Sequence, residues 1–380
     1  MTDVVVTEER IGDDLRSVRD FEVGLLLGHA GSMDVIVTHV PTPPEDVAVS
    51  RLAELSVDWM SAHAKSVLCM LPGGIDCLGM YVVTTEEPRA LLAMLCRYMC
   101  ALQAIGRDMG SSMDSLYVLC VSPSSSTILS KRFQAPSWFV EARLQWQPTE
   151  SLLRRYEATI RIDVSLPSLA PAVVRASVVP LLAHAIPIAG RDPGRVHFLE
   201  RVSTNDLSAV AAATRPSTSP CRALHLEGSV TCCAYALESA LLGETLRRDL
   251  ERTMARRADL LETKDDVSSC RRRAGDHPRN VAVARRAQFR WPRSGFLTGN
   301  VHLLTDGDLS DCAHAIAQLL TSPTPVELQW VEMEASLLVT NDASMTTTRV
   351  KAWHHPSLFP ALLAACVATL FAYLAKSTQM

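Results

Sequence analysis

The chain is 380 residues long, with 48% hydrophobic and 21% charged residues, which is the composition of a folded globular protein and not of a disordered one. Its 37 basic and 41 acidic side chains nearly cancel, at a formal net charge of −4. This balance gives no basic footprint for a nucleic-acid partner. Residues 1–14 contain no basic segment followed by a long apolar run, so no secretory signal is predicted there.

The eleven cysteines do not follow the spacing of a metal site. No two of them form a C-x-x-C pair, and none is matched with an H-x-x-x-H pair. Cys96 and Cys100 are four residues apart in a predicted helix, and Cys232 and Cys233 are adjacent in a predicted strand, where they would point to opposite faces. We therefore expect free and mostly buried thiols in a reducing compartment, with no metal and no cofactor.

Residues 1–150 predict an α/β domain. The apolar run 23–27 is typical of a buried strand, and 34–40 is expected to be its hairpin partner, ended by the prolines of PTPPED. Helical spacing of apolar residues predicts two helices, at 51–71 and 86–105. Two further strands and a flexible turn complete the domain, at 75–85, 115–121 and 122–127.

Residues 151–340 predict a second region of the α+β class. Clean alternation in EATIRIDVSLP predicts a half-buried strand from residue 157. We expect a linker at 209–220, a hairpin at 222–237 that turns at 227–229, and a charged helix at 239–262. The region then continues with strands at 287–291, 296–304 and 326–334 and a helix at 309–320.

Two arginine-rich segments of this second region are left without an assigned contact. Arg271–Arg273 are predicted to lie in an exposed loop at 264–280. Arg285, Arg286, Arg290 and Arg293 form a basic cluster that would contact lipid headgroups or an acidic partner, or would simply be a solvated edge strand. The sequence does not decide between these interpretations.

A C-terminal membrane anchor is predicted at 357–375. From Leu358 to Leu374 the chain has no charged residue, which is long enough to span a thin bilayer as a helix. Trp353 and Tyr373 lie near its two ends, as interfacial aromatic residues do. The alternative is a buried core helix. The anchor predicts a single-pass protein of the endoplasmic reticulum membrane with most of its chain in the cytosol.

Two segments of the first domain resemble the MPN fold of the zinc-dependent deubiquitinases: Val23–Gly28 and Leu78–Thr85. Active members of that fold bind zinc through H-x-H on an extended segment, because side chains at i and i+2 point the same way. Val82 and Thr84 occupy the two ligand positions here, and Phe21 occupies the general-base position, with Glu22 next to it. The resemblance therefore implies a catalytically inactive domain. The alternative is a small α/β sandwich whose glycines permit close packing.

The chain also resembles the odorant response abnormal protein 4 family. The most specific part is W-x-x-x-HA-x-x-V-x-x-MLPGG-x-x-x-LG within residues 57–85, preceded by VGLLLGHAGSM. The motif residues assigned to fold or interface are Gly24, Gly28, Trp59, His63, Met70, Leu71, Pro72, Gly73, Gly74 and Gly79. Taken alone, His63 is interpreted as a satisfied core histidine.

This resemblance implies a noncatalytic, tail-anchored adaptor of the endoplasmic reticulum. The expected partners are the protease specific for the ubiquitin-fold modifier, multi-pass membrane receptors and the lipid bilayer, and no nucleic acid. We expect an MPN-like heterodimer with that protease. Two alternatives remain open: a membrane chaperone that acts directly on receptors, and a zinc-dependent isopeptidase.

Overall fold

The structure is a computed structural model in which twelve ranges of the chain are described. These are residues 3–45, 49–109, 116–125, 127–135, 138–166, 199–203, 224–237, 242–262, 281–282, 284–303, 308–331 and 338–341.

The N-terminal region is a closed barrel of seven strands in the order β1-β3-β2-β4-β5-β6-β7. Strand β1 pairs in parallel with both β3 and β7 and so closes it, and β4 pairs in parallel with β5; the other neighbours are antiparallel. The strands are β1 (Asp3–Thr7), β2 (Glu22–His29), β3 (Asp34–Pro41), β4 (Asp76–Val83), β5 (Leu116–Val121), β6 (Ile128–Gln134) and β7 (Trp138–Trp146).

Three helices cover the barrel: α1 (Glu9–Ser17), α2 (Val57–Leu68) and α3 (Pro88–Asp108). Ser56 caps α2, since its side chain accepts a hydrogen bond from the Trp59 N–H. Proline begins α3, where its missing N–H costs nothing. A short 3₁₀ helix, Leu52–Glu54, precedes α2.

The described part of the second region contains two sheets and two helices. The first sheet has the order β11-β15-β10-β8-β9, from β8 (Leu153–Leu166), β9 (Leu199–Ser203), β10 (Leu224–Leu237), β11 (Val281–Ala282) and β15 (Leu338–Asn341). The second has the order β13-β12-β14, from β12 (Arg285–Arg290), β13 (Thr298–Leu303) and β14 (Leu328–Trp330). The helices are α4 (Leu242–Glu262) and α5 (Leu309–Leu319).

One cluster of buried apolar side chains extends through both regions. It includes Leu25 and Val82 of the barrel together with Tyr235 of β10, Trp291 after β12 and Ile316 of α5. The described residues belong to the α+β class, because helices accompany sheets in which parallel and antiparallel strands are mixed.

Several predicted elements are confirmed and two are corrected. The predicted strands at 23–27, 34–40, 75–85 and 115–121 correspond to β2–β5. The predicted hairpin at 222–237 is wrong: β10 is one continuous strand that pairs with β8 from Leu224 to Leu237, through the predicted turn. The predicted helix 51–71 is a 3₁₀ helix followed by α2, which begins only at Val57.

Some predictions fall outside the described ranges. These are the linker 209–220, the loop with Arg271–Arg273 and the anchor 357–375 with its ends Leu358 and Leu374. Among the helices that the structure describes, none combines the length and the apolar character needed to cross a membrane.

Candidate functional site

Val82 and Thr84, the two positions compared above with zinc ligands, lie in the barrel core. Val82 lies in β4 opposite Val23 of β2, and its side chain is fully buried in the main apolar cluster. Thr84, just after β4, is also buried. An aliphatic side chain cannot coordinate zinc, whose protein ligands are sulfur, imidazole nitrogen and carboxylate oxygen.

The polar groups beside this segment bind one another. The Tyr81 hydroxyl donates to Glu22 Oε1 at 2.7 Å, so the carboxylate next to the general-base position already has a partner. Arg293 Nη1 donates to His39 Nε2 at 2.8 Å, and the His39 and Tyr81 rings meet edge to face. Burial, then the charges of Arg293 and Arg10, lower the pKa of His39 to about 3, so this imidazole is neutral.

The most specific family motif forms a junction between the two regions. We call Met70–Asp76 the 70–76 loop. The Gly73 N–H donates to the Cys233 carbonyl at 2.9 Å, and the Gly73 carbonyl accepts from the Tyr235 N–H at 2.8 Å. Gly73 is thus bridged to Ala234 in parallel, and the loop adds a short strand-like segment to β10.

A buried ion pair lies beneath this junction. Asp249 of α4 and Arg286 of β12 have side chains that are each 1% exposed, and they bond at 2.7 and 2.8 Å. The same carboxylate accepts from the Cys233 N–H at 2.8 Å and from the Gly73 N–H at 3.1 Å. Arg286 also donates to the Thr231 carbonyl. One ion pair therefore connects the loop, β10, α4 and β12.

The charge of Arg286 is retained despite its burial. Desolvation would lower the pKa of the guanidinium, but the charge and hydrogen bonds of Asp249, aided by Cys233 and Cys232, more than offset it and raise the pKa. A buried pair of this kind is expensive to break, because removal of either partner leaves an uncompensated charge.

Gly74 and Asp76 hold the other end of the loop. Gly74 has a φ of +78°, and a Cβ added there would lie 2.0 Å from the Tyr235 carbonyl oxygen. Its own carbonyl accepts from His29 Nδ1 at 2.8 Å. Arg252 of α4 forms an ion pair with Asp76 and donates to the Ile75 carbonyl at 3.1 Å. Only glycine fits at position 74 without strain.

Other motif residues make contacts between distant parts of the chain. His63 Nε2 donates to the Leu319 carbonyl of α5 at 3.1 Å, and the Met70 carbonyl accepts from the Asn300 N–H at 2.8 Å. Trp59 Nε1 donates to the Pro43 carbonyl at 2.9 Å. Leu71 is buried in the main apolar cluster.

The three remaining motif glycines lie in barrel strands. Gly24 and Gly28 are in β2, where an added Cβ would meet a carbonyl oxygen of β3 at 2.1 and 2.0 Å. Gly79 in β4 has a φ of +137° and lies against Tyr117 of β5. These glycines allow neighbouring strands to approach closely; the junction itself is formed by the 70–76 loop.

Sequence reasoning did not identify the residues that complete the junction. The predicted surface position of Arg286 is wrong: this residue is buried in the central strand of its sheet, where it binds Asp249. The signal was present on α4, where Asp249 lies on the same face as Leu246 and Leu250. A lone acid on an apolar face indicates a buried partner.

Within the described ranges, no three His, Cys, Asp or Glu side chains are grouped so that they could hold a metal ion. None of the eight cysteines described there forms a disulfide, and five of them are buried.

Comparison with known protein families gives a match to the odorant response abnormal 4-like model over residues 24–179. The mouse protein odr-4 homolog is 33% identical over 94 residues, which is 22% of this chain and 21% of the mouse protein. The human homolog is 32% identical over 94 residues, with the same shares, and the chicken homolog 30% over 91 residues, which is 21% of this chain and 20% of that protein. The matched segment thus spans about a fifth of the length of these relatives.

Among solved structures, the crystal structure of UfSP from C. elegans superimposes with a TM-score of 0.40 at 12% sequence identity. The superposition covers 86% of this chain and 58% of that chain. At this TM-score the likeness carries no argument about fold or function.

Proposed function

The chain carries the odorant response abnormal 4-like family region at residues 24–179, and we propose on this basis that it is a noncatalytic adaptor. It is held in the endoplasmic reticulum membrane by the segment 357–375, with the remainder in the cytosol. It binds the protease specific for the ubiquitin-fold modifier and supports the folding and trafficking of multi-pass membrane receptors.

The proposal that the protein is not a hydrolase rests on the packing around β4. Val82 is fully buried in the apolar cluster at a ligand position of the MPN enzymes, and Glu22 is bonded to Tyr81. A zinc-bound water there would need imidazole ligands and a free carboxylate as general base. Hydrophobic packing in this place favours a role in binding over one in hydrolysis.

The preferred mode of partner binding is pairing of this barrel with an MPN-like region of the protease. The proposal rests on analogy with other MPN-like domains, which commonly pair with one another. The 70–76 loop is not the proposed contact surface, because its backbone groups are already bonded to β10.

Co-purification of the tagged full-length chain from detergent-solubilised membranes, followed by mass spectrometry, tests the adaptor function. Enrichment of the cysteine protease of the modifier pathway supports it. A preparation that contains multi-pass receptors but no such protease would support the direct chaperone instead. Elemental analysis of the same preparation is the second readout, because one zinc per chain would revive the isopeptidase alternative.

The membrane anchor is tested separately by alkaline carbonate extraction of membranes. The full-length chain is expected to stay in the pellet, and a chain truncated before residue 357 is expected to move to the supernatant. Release of both proteins would overturn the anchor and leave the family assignment unchanged.

A further inference from the structure

Two cysteines lie together on the outer face of α3. Cys96 and Cys100 are four residues apart, so their side chains are neighbours on one side of the helix. Cys100 is exposed and Cys96 is partly exposed. The opposite side of α3 packs into the core through Leu91, Leu95, Tyr98, Met99 and Leu102.

Basic side chains flank this pair along α3, and the one acidic residue of the helix is Asp108 at its end. The segment from Pro88 to Arg107 contains no acidic residue, and Arg97 and Arg107 are exposed on α3. Desolvation, and then the charge of Cys100, raise the pKa of the Cys96 thiol, which shows that the two groups interact. A cation bound to both sulfurs would stabilise the two thiolates against this mutual effect.

The spacing excludes the simplest redox product of the two thiols. Neighbouring positions i and i+4 of a helix place their Cβ atoms about 5–6 Å apart, whereas a disulfide brings Cβ atoms to about 3.5–4.5 Å. Oxidation to a disulfide within the helix would therefore distort its backbone. A bridging ion between the two sulfurs needs no such approach.

We infer that Cys96 and Cys100 form a two-thiolate site for a soft monovalent metal ion, with Cu(I) as the ion that fits. Thiolate ligands select Cu(I) and Zn²⁺, and Zn²⁺ requires about four protein ligands in a structural site. No third donor of the described chain completes such a set. On binding, both thiols lose their protons to solvent, two S–Cu bonds form, and the copper remains monovalent.

The test is a Cu(I) titration of the purified full-length chain in reducing buffer against a chromophoric Cu(I) chelator. The wild type is expected to withdraw one equivalent of copper. Cys96→Ser and Cys100→Ser should each weaken binding by at least about 100-fold, since even changes outside the ligands cost 10–100-fold. Cys69→Ser is the matched control, a partly exposed thiol at the end of α2, and should leave the titration unchanged.

Circular dichroism of each variant shows whether the fold is retained, which is expected because Cys100 is exposed. A wild type that takes no copper from the chelator overturns the inference. So does a folded Cys96→Ser/Cys100→Ser double variant that binds as the wild type does, because the copper would then reside on other thiols. Neither result bears on the adaptor function.

Discussion

The paired strands β2 and β4 adjoin the 70–76 loop in the fold, yet the two are stabilised by opposite means. In the first, Val23 and Val82 face each other in an apolar core. In the second, an ion pair with side chains 1% exposed binds the backbone of the loop. The first is held by apolar packing, whereas the second is held by charged side chains that bind one another and the backbone of the loop and β10.

This difference shows what the motif at residues 59–79 does in the described chain. Its specific residues, Pro72-Gly73-Gly74 with Met70 and His63, contact β10, α4, β13 and α5 and not an open cleft. Hydrogen bonds and ion pairs fix one relative arrangement, whereas apolar contact is tolerant of small shifts. The motif therefore specifies how the barrel and the second region join.

The largest expected effect follows from removal of the Asp249 carboxylate. Asp249→Ala leaves Arg286 charged and buried, and it removes the acceptor of the Cys233 and Gly73 N–H groups. We expect a loss of about 3–5 kcal/mol in the free energy of unfolding, measured by urea denaturation. Glu244→Ala is the control: it breaks partly exposed ion pairs with Arg247 and Arg248 and should cost about 0–1 kcal/mol. Equal costs for the two variants would contradict the structural role of the junction.

The next effect concerns the backbone of the loop. Gly74→Ala forces a Cβ against the Tyr235 carbonyl at a positive φ, and we expect a loss of about 2–4 kcal/mol. Gly295→Ala is its control, because the nearest atom to an added Cβ there is the end of the Glu150 side chain at 3.2 Å. Thermal unfolding of both variants measures the difference. A Gly74→Ala protein as stable as the Gly295→Ala protein would show that the loop can rearrange.

Secondary structure could be predicted from the sequence where neighbouring residues determine it, whereas contacts between distant residues could not. Apolar runs and helical spacing located β2–β5 and α3–α5 within a few residues, whereas α2 begins at Val57 and not at residue 51. The turn predicted at 227–229 failed because Glu-Gly-Ser lies opposite Asp163–Arg161 of β8, and a partner along fourteen residues overrides a local turn preference. The Asp249–Arg286 pair joins residues 37 apart in sequence, and no local pattern predicts which charges will meet.

The apolar side of the comparison is tested by a return of histidine to β4. Val82→His places a larger polar ring in a fully buried position, and we expect a loss of about 1–3 kcal/mol. Val82→His/Thr84→His should bind no zinc, because Glu22 is bonded to Tyr81 and no third ligand is added. Unfolding in urea and elemental analysis measure the two outcomes. Stoichiometric zinc in the folded double variant would show that the metal site is only two substitutions away.

The smallest effect at neutral pH, and one that grows in acid, concerns His63. Burial, opposed by the hydrogen bond to Leu319, lowers its pKa from 6.5 to about 4. Between about pH 6.5 and 4 the unfolded chain therefore binds more protons at this residue than the folded chain, so stability falls as the pH falls, by up to about 1.4 kcal/mol per pH unit. His63→Gln keeps a donor for the Leu319 carbonyl but removes the titration. Its free energy of unfolding should be close to that of the wild type at pH 7 and should fall less steeply between pH 6 and 5.

Some pH dependence should persist in His63→Gln, because His39 is also buried with a lowered pKa. His314→Gln, at an exposed histidine of α5, is the control for loss of an imidazole. If His63→Gln and the wild type lose stability in parallel, His63 does not stay neutral in the folded protein, and its contact with α5 is not the one described.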